Sequence, residues 1–276
     1  MNAHECEELR ERVARSVQSG ELEQAYVLLA SILAERTPFR LLDRIGRAVG
    51  AAPLPEVNVF LAEVASRGTM GGWVVIGSAL GRQFDRDLAG ALDRCREFIV
   101  AADMWYATDI LGERVPGPAL VAQFEPTLSL LSPWRADPNR WVRRTAGVAV
   151  HFWAKRSRGR PELRPQAELL LAFLEPLFEE RDPDAVKGVG WGLKTLGRTY
   201  PDPVAGWLEE QLRRGCRPRA LMLRKARTYL PSATSRSVAP RGRCRAQGSV
   251  PRGEGNMVVK YYLFGGRRVA MNRGGF

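Results

Sequence analysis

Read at about 100° per residue, residues 138–158 divide into an apolar face and a charged one. Val142, Ala146, Ala149 and Trp153 share the first, and Arg140, Arg144, His151 and Lys155 share the second. A helix of this kind is either a solvated surface helix or one that faces an anion. The same period runs through almost every segment up to about residue 230. It predicts helices over 5–18, 21–36, 38–49, 55–67, 72–82, 86–101, 104–113, 118–132, 138–157, 165–180, 183–199, 203–214 and 217–229. Short separators carry helix stop and start chemistry, among them Gly50, Pro53, Gly68, Pro116, Pro133, Pro138 and Pro201. Strand-like alternation is absent from this stretch. Many short helices joined by short loops predict an all-α, HEAT-like helical-repeat solenoid. The repeat period is irregular, and an all-α bundle is the competing architecture.

The pattern stops at Leu230. Residues 232–256 are rich in Ser, Arg, Gly and Pro and cannot bury a core, so they read as disordered. The last twenty residues contain a hairpin pattern, with an apolar run, Gly265-Gly266 and a second short run. The chain therefore divides into a helical domain over 1–230 and a basic tail over 231–276. That tail either adds nonspecific phosphate affinity or is a non-native extension of the reading frame.

Charge sharpens the picture. The formal charge is +12, but the tail holds nine Lys/Arg against one acid, so the helical part is only mildly basic. Its positive charge must be clustered to matter. Between Trp134 and Arg160 stand eight Lys/Arg and a single acid, Asp137. Arg outnumbers Lys throughout, which reflects a GC-rich coding bias or the suitability of Arg for bidentate phosphate contacts. Four scattered cysteines without a CxxC pair, and only two histidines, argue against a zinc site or a disulfide framework. No cofactor or metal is expected. The charged N-terminus carries no signal-peptide pattern, and no apolar run approaches the roughly 18 residues that cross a bilayer. A cytoplasmic, monomeric protein is expected.

Three helices place unusual residues opposite their apolar stripe. On 104–113, with Asp103 as the expected N-cap, Ala107, Ile110 and Leu111 pack while Trp105 and Asp109 stack on the other side. Arg144 stands on the second. On 184–199, Val186, Val189, Leu193 and Leu196 pack, and Lys187, Trp191, Lys194 and Arg198 line up opposite. Another helix layer could cover each Trp. The alternative is a shared concave basic groove, since cations that track a backbone and aromatics that stack are the usual nucleic-acid pairing. His151 reads as structural or phosphate-contacting. The glycines at 188, 190 and 192 are no phosphate loop, because no strand precedes them; they suit close helix packing. Trp73, Trp153 and Trp207 read as core.

The segments WYATD (105–109), NRWVRRTA (139–146) and KGVGWGLKTLGRTYP (187–201) resemble, in order and spacing, the signature blocks of the AlkD-type DNA alkylation repair glycosylases. Those proteins are HEAT-like, and the helical resemblance covers roughly residues 20–230. It implies that Trp105, Asp109, Arg144 and Trp191 surround a damaged nucleotide in double-stranded DNA. It also implies excision of cationic N3- or N7-alkylated purines, the lesion remaining stacked. Asp109 would then stabilise an oxocarbenium-like sugar and deliver water, with Trp105 and Trp191 offering π faces. Arg144 would hold a phosphate, with Arg143, Arg140, Lys187, Lys194, Arg198 and Lys155 as further DNA contacts. Tyr106 stands where the family commonly has an acid. Two other readings stay open: a HEAT-like protein that binds DNA, including branched DNA, without excision, and a helical scaffold for an acidic partner.

Overall fold

The computed structural model describes residues 3–34, 37–230, 261–264 and 267–270. The helices are α1 (Ala3–Gln18), α2 (Leu22–Leu33), α3 (Phe39–Val49), α4 (Leu54–Ser66), α5 (Met70–Gln83), α6 (Leu88–Ala102) and α7 (Trp105–Arg114). They continue as α8 (Pro116–Ala122), α9 (Phe124–Leu131), α10 (Arg140–Ser157), α11 (Arg164–Leu174), α12 (Pro183–Thr199), α13 (Pro201–Arg213) and α14 (Ala220–Ala226). The chain divides into one unit over Met1–Ala239 and another over Pro240–Phe276. In the second, β1 (Tyr261–Phe264) pairs antiparallel with β2 (Arg267–Ala270), which is the hairpin the sequence pattern suggests. The expected domain boundary at 230/231 and the expected disorder after it lie outside the described residues.

The first unit is a helical-repeat solenoid. Helices α1, α3, α5, α7, α10, α12 and α14 each pack on the next, and the helices between them pack across this layer, α4 and α6 on α5, α8 on α10, α13 on α12. Neighbours in the layer run parallel. Contacts climb both helices together, as where Gly77 meets Leu111 and Gly81 meets Arg114, or Gly188 meets Arg144 and Gly192 meets Gly147. The core is the apolar stripe of each helix, for example Val142, Ala146, Ala149 of α10 and Val186, Val189, Leu193, Leu196 of α12, all fully buried. Trp73 and Trp153 belong to this core. Trp207 is only partly buried and meets Phe178 edge-on at 4.9 Å.

Three boundaries differ from the pattern, the first two where a proline intervenes. The expected helix over 118–132 is two helices broken at Gln123 (φ −138°, ψ 70°). Pro126 has no N–H to bond the carbonyl of Ala122, and its ring clashes there. The expected helix over 165–180 stops at Leu174 and tightens into a 3-10 turn at Glu175–Leu177, around Pro176. The last helix is shorter than 217–229, spanning Ala220–Ala226.

The tightest approach in the layer is between α10 and α12. A Cβ placed on Gly147 would collide with the backbone of Gly188 and Val189, and one on Gly188 would sit 2.5 Å from both Arg144 Cγ and the Arg144 carbonyl oxygen. The sequence therefore needs glycine at both positions for backbone contact, as the close-packing reading of this region expects. Gly188→Ala should cost about 2 kcal/mol by overpacking. Gly206→Ala, in α13 where a Cβ meets nothing within 4 Å, should stabilise by up to about 1 kcal/mol through helix propensity. Thermal and denaturant unfolding of the two variants checks both signs.

Candidate functional site

Asn139 starts α10 by accepting a hydrogen bond from the Trp141 N–H at 2.8 Å. The helix then runs through the middle of the layer, with α7 on one side and α12 on the other. That position corrects the two-faced reading of α10. The middle of its charged stripe is not solvated: Arg144 is 6% and His151 8% exposed, whereas Arg140 is partly and Lys155 largely open to solvent. Arg144 and His151 lie in the seams between helices.

Arg144 reaches across to α7. Its Nε donates to Asp109 Oδ1 and its Nη2 to Asp109 Oδ2, both at 2.7 Å, and Nη1 donates to the Asp184 carbonyl oxygen of α12 at 2.9 Å. This is a two-pronged guanidinium–carboxylate pair, the geometry that best fixes a carboxylate's orientation. The expectation that Arg144 grips a phosphate thus meets a guanidinium already engaged through all three nitrogens. Asp109 keeps two of its roughly four acceptor sites outside the fork. One turn earlier on the same helix, Trp105 is 46% exposed and meets Tyr106 edge-on at 5.9 Å.

Trp191 meets α10 from the other side, on α12. Its indole stacks on the His151 imidazole, centroids 3.8 Å apart and planes 23° from parallel. Thr195 Oγ1 donates to the Trp191 carbonyl oxygen at 3.0 Å, so its lone pair is left to accept from His151 Nδ1, 2.7 Å away. Burial, then the charges of Lys155 and Lys225, lower the His151 pKa to about 4. The ring is therefore neutral near pH 7 even with Glu113 Oε1 at 3.7 Å from Nε2. Burial raises the Glu113 carboxyl above its usual range, against Lys155 and Arg114, and Asp109 adds to the rise.

The remaining sequence candidates separate into several groups. Arg143 turns away from Asp109: it donates to Glu180 at 2.6 Å and to the carbonyl oxygens of Asp137 and Pro138 at 2.7 and 3.0 Å. Burial would raise the Glu180 carboxyl, but the Arg143 hydrogen bond and charge, with the backbone N–H groups of Asp182 and Arg181, together outweigh it and lower Glu180 below its usual value. Arg143 is thus a strut between α10 and the segment before α12. Arg140 pairs with Asp103 at 3.1 Å and lies over the Trp141 ring. Asp103 is not the N-cap expected of it; it closes α6 in the left-handed region (φ 43°), and its carboxylate also accepts from Trp141 Nε1 at 2.6 Å. Lys187 pairs with Asp184 at 2.8 Å. Lys194 and Arg198 both lie over the exposed Tyr229 ring, at 5.4 and 5.8 Å from its centroid. Lys155 lines an open cavity of about 430 Å³ with Arg47, Glu113, Arg114 and Arg156 among its walls.

The structure therefore brings Asp109 and Arg144 into contact, puts Trp105 on Asp109's helix, and joins Trp191 through His151. Sequence reasoning missed Glu113 and Lys225. The signal for Lys225 was Gly190: a glycine inside a helix marks a close approach, and the chain that approaches it is the Lys225 stem, with Cδ 2.6 Å from where a Cβ would be.

Residues 59–230, which carry all of these groups except those of α3, match the family model of the DNA alkylation repair enzymes, and the chain belongs to that family. Among solved structures, the chain is similar to the Pseudomonas fluorescens alkylpurine DNA glycosylase AlkC bound to DNA containing an abasic site analog. The TM-score is 0.54 at 19% sequence identity, over 80% of this chain and 62% of that one, which makes the likeness one of fold. The chain thus spans less than two thirds of the solved structure it matches. No curated protein matches it.

His151 sets a pH dependence. Between pH 6.5 and about 4 the unfolded chain takes up a proton at this imidazole that the folded chain refuses. Its stabilisation is fully present above 6.5 and is lost as pH falls toward 4, by roughly 3 kcal/mol. Denaturant unfolding of wild type and His151→Gln at pH 7 and pH 4.5 should show the wild type losing more stability than the variant.

Proposed function

We propose that this chain is an AlkD-type, HEAT-like DNA glycosylase that removes cationic N3- or N7-alkylated purines from duplex DNA. The observation that carries the reading is the fork between Arg144 of α10 and Asp109 of α7, which fixes one carboxylate on the helix of Trp105, with the helix of Trp191 on the other side of α10. Alkylation leaves the purine positively charged, so the base departs with the C1′–N electron pair and becomes neutral without a general acid. The charge then lies on the sugar as an oxocarbenium-like centre. A carboxylate already fixed in orientation stabilises that centre without having to reorganise. Its free lone pairs position the water that adds to C1′.

Trp105 and Trp191 offer indole faces to the cationic base and sugar. Arg144 orients Asp109 in this reading; it is not the residue that holds the backbone. His151, neutral at working pH, sets the plane of Trp191. Family membership and the AlkC-like fold support the reaction class. The residue roles rest on the geometry.

Asp109→Asn keeps the shape of the side chain and removes its charge. Released base from methylated duplex DNA, measured in single turnover, should fall by about 100-fold or more. Wild-type release no greater than the variant's would leave a DNA-binding protein without excision. Trp191→Ala should lower the same rate without loss of folding, since the indole is only half-buried.

A further inference from the structure

With Arg144 engaged by Asp109 and Asp184, the site needs another cation if it is to hold a phosphate, and the geometry points to Lys225 of α14: we propose that its ammonium is the backbone anchor beside Asp109, binding a phosphodiester of the DNA. The inference rests on reading this face as a DNA surface, and it goes beyond that reading by assigning the anchor to a helix three positions along the layer from α7.

Three observations carry it. First, the Lys225 stem runs against Gly190, where any larger residue would stand 2.6 Å from Cδ and 3.2 Å from Cβ. The missing side chain thus leaves a track over α12 for a lysine from the next helix. Second, its charge acts on the site: it is felt at His151 on α10, and at Arg144 and Asp109 across α12. Third, among the described residues Lys225 Nζ makes no hydrogen bond or ion pair, unlike Lys187, which Asp184 holds at 2.8 Å.

The surroundings leave a place for an anion. Lys194, Arg144 and Arg224 all bear on Lys225, and Asp109, an acid that opposes them, is already forked by Arg144. Burial first, then Lys194 and Arg144, lower the Lys225 pKa from its usual value. Cations crowded together without enough counter-charge are relieved by a bound phosphate, whose oxygens accept from several donors at once. Lys194 and Arg198, over the exposed Tyr229 ring, extend the same positive surface along α12 and α14.

The test is a salt series of binding to an unmethylated duplex, for wild type, Lys225→Gln and Lys225→Arg. Each neutralised phosphate adds about 0.9 to the magnitude of the slope of log K against log salt. Lys225→Gln should reduce the slope by about that amount and weaken low-salt binding about tenfold, whereas Lys225→Arg should restore both. Circular dichroism confirms that each variant folds; if Lys225→Gln does not, Lys225→Ser is measured in its place. An unchanged slope in the folded neutral variant overturns the proposal, as does a wild type without salt-dependent binding. Inorganic phosphate is a second probe. Lys225-dependent phosphate binding with an unchanged DNA slope would make this a small-anion site and overturn the DNA assignment. Base release is not part of the readout, so absence of excision would sink the glycosylase reading and leave the anchor standing.

Discussion

Everything at this site depends on the two-pronged contact between Arg144 and Asp109, and that contact depends on a side chain that is absent. Gly188 leaves the room in which the Arg144 stem and carbonyl lie, 2.5 Å from where a Cβ would be. Because α10 and α12 touch backbone to backbone, the guanidinium can donate one hydrogen bond to the Asp184 carbonyl and still span to α7. A larger residue would part the helices and move the fork. Breaking a largely buried pair by removing one partner costs more than the pair contributes, so the fork is both the functional feature and a point where fold and site cannot be separated.

Around it the charges are sorted by what each can still bind. Arg143 and Arg140 belong to the frame, held by Glu180 and Asp103. Arg144 belongs to Asp109. His151 is kept neutral by burial and by two lysines, so it contributes a flat surface to Trp191 and adds no cation. Positive charge that remains for a ligand lies on α12 and α14, at Lys194, Arg198 and Lys225, and at Lys155 near the end of α10. A patch that counts as eight basic residues in the sequence is therefore a poor measure of where an anion would sit.

The helices were legible because amphipathic period and Pro/Gly separators survive into the structure almost unchanged; besides the shorter last helix, the exceptions, at Gln123 and Pro176, are places where proline acts through a missing N–H. The members of the site were legible too, as residues on the wrong face of three helices. Their partners were not. Helical periodicity reports which residues share a face, but not whether that face meets water or another helix, so the stripe of α10 read as either solvated or facing an anion, whereas Arg144 and His151 are only 6–8% accessible. Nor does it carry contacts between helices remote in sequence, such as Arg144 with Asp109 or Lys225 with Gly190. The one trace of the latter was an interior glycine.

The central claim is that Arg144 acts by fixing Asp109. Arg144→Lys tests it most directly, because lysine keeps the charge and loses the planar fork. Single-turnover base release from methylated duplex and the Kd for undamaged duplex would be measured on the same preparation. The account predicts release more than tenfold slower at saturating protein with the Kd unchanged. Weakened binding with release at saturation intact would contradict it, and would return Arg144 to the DNA backbone.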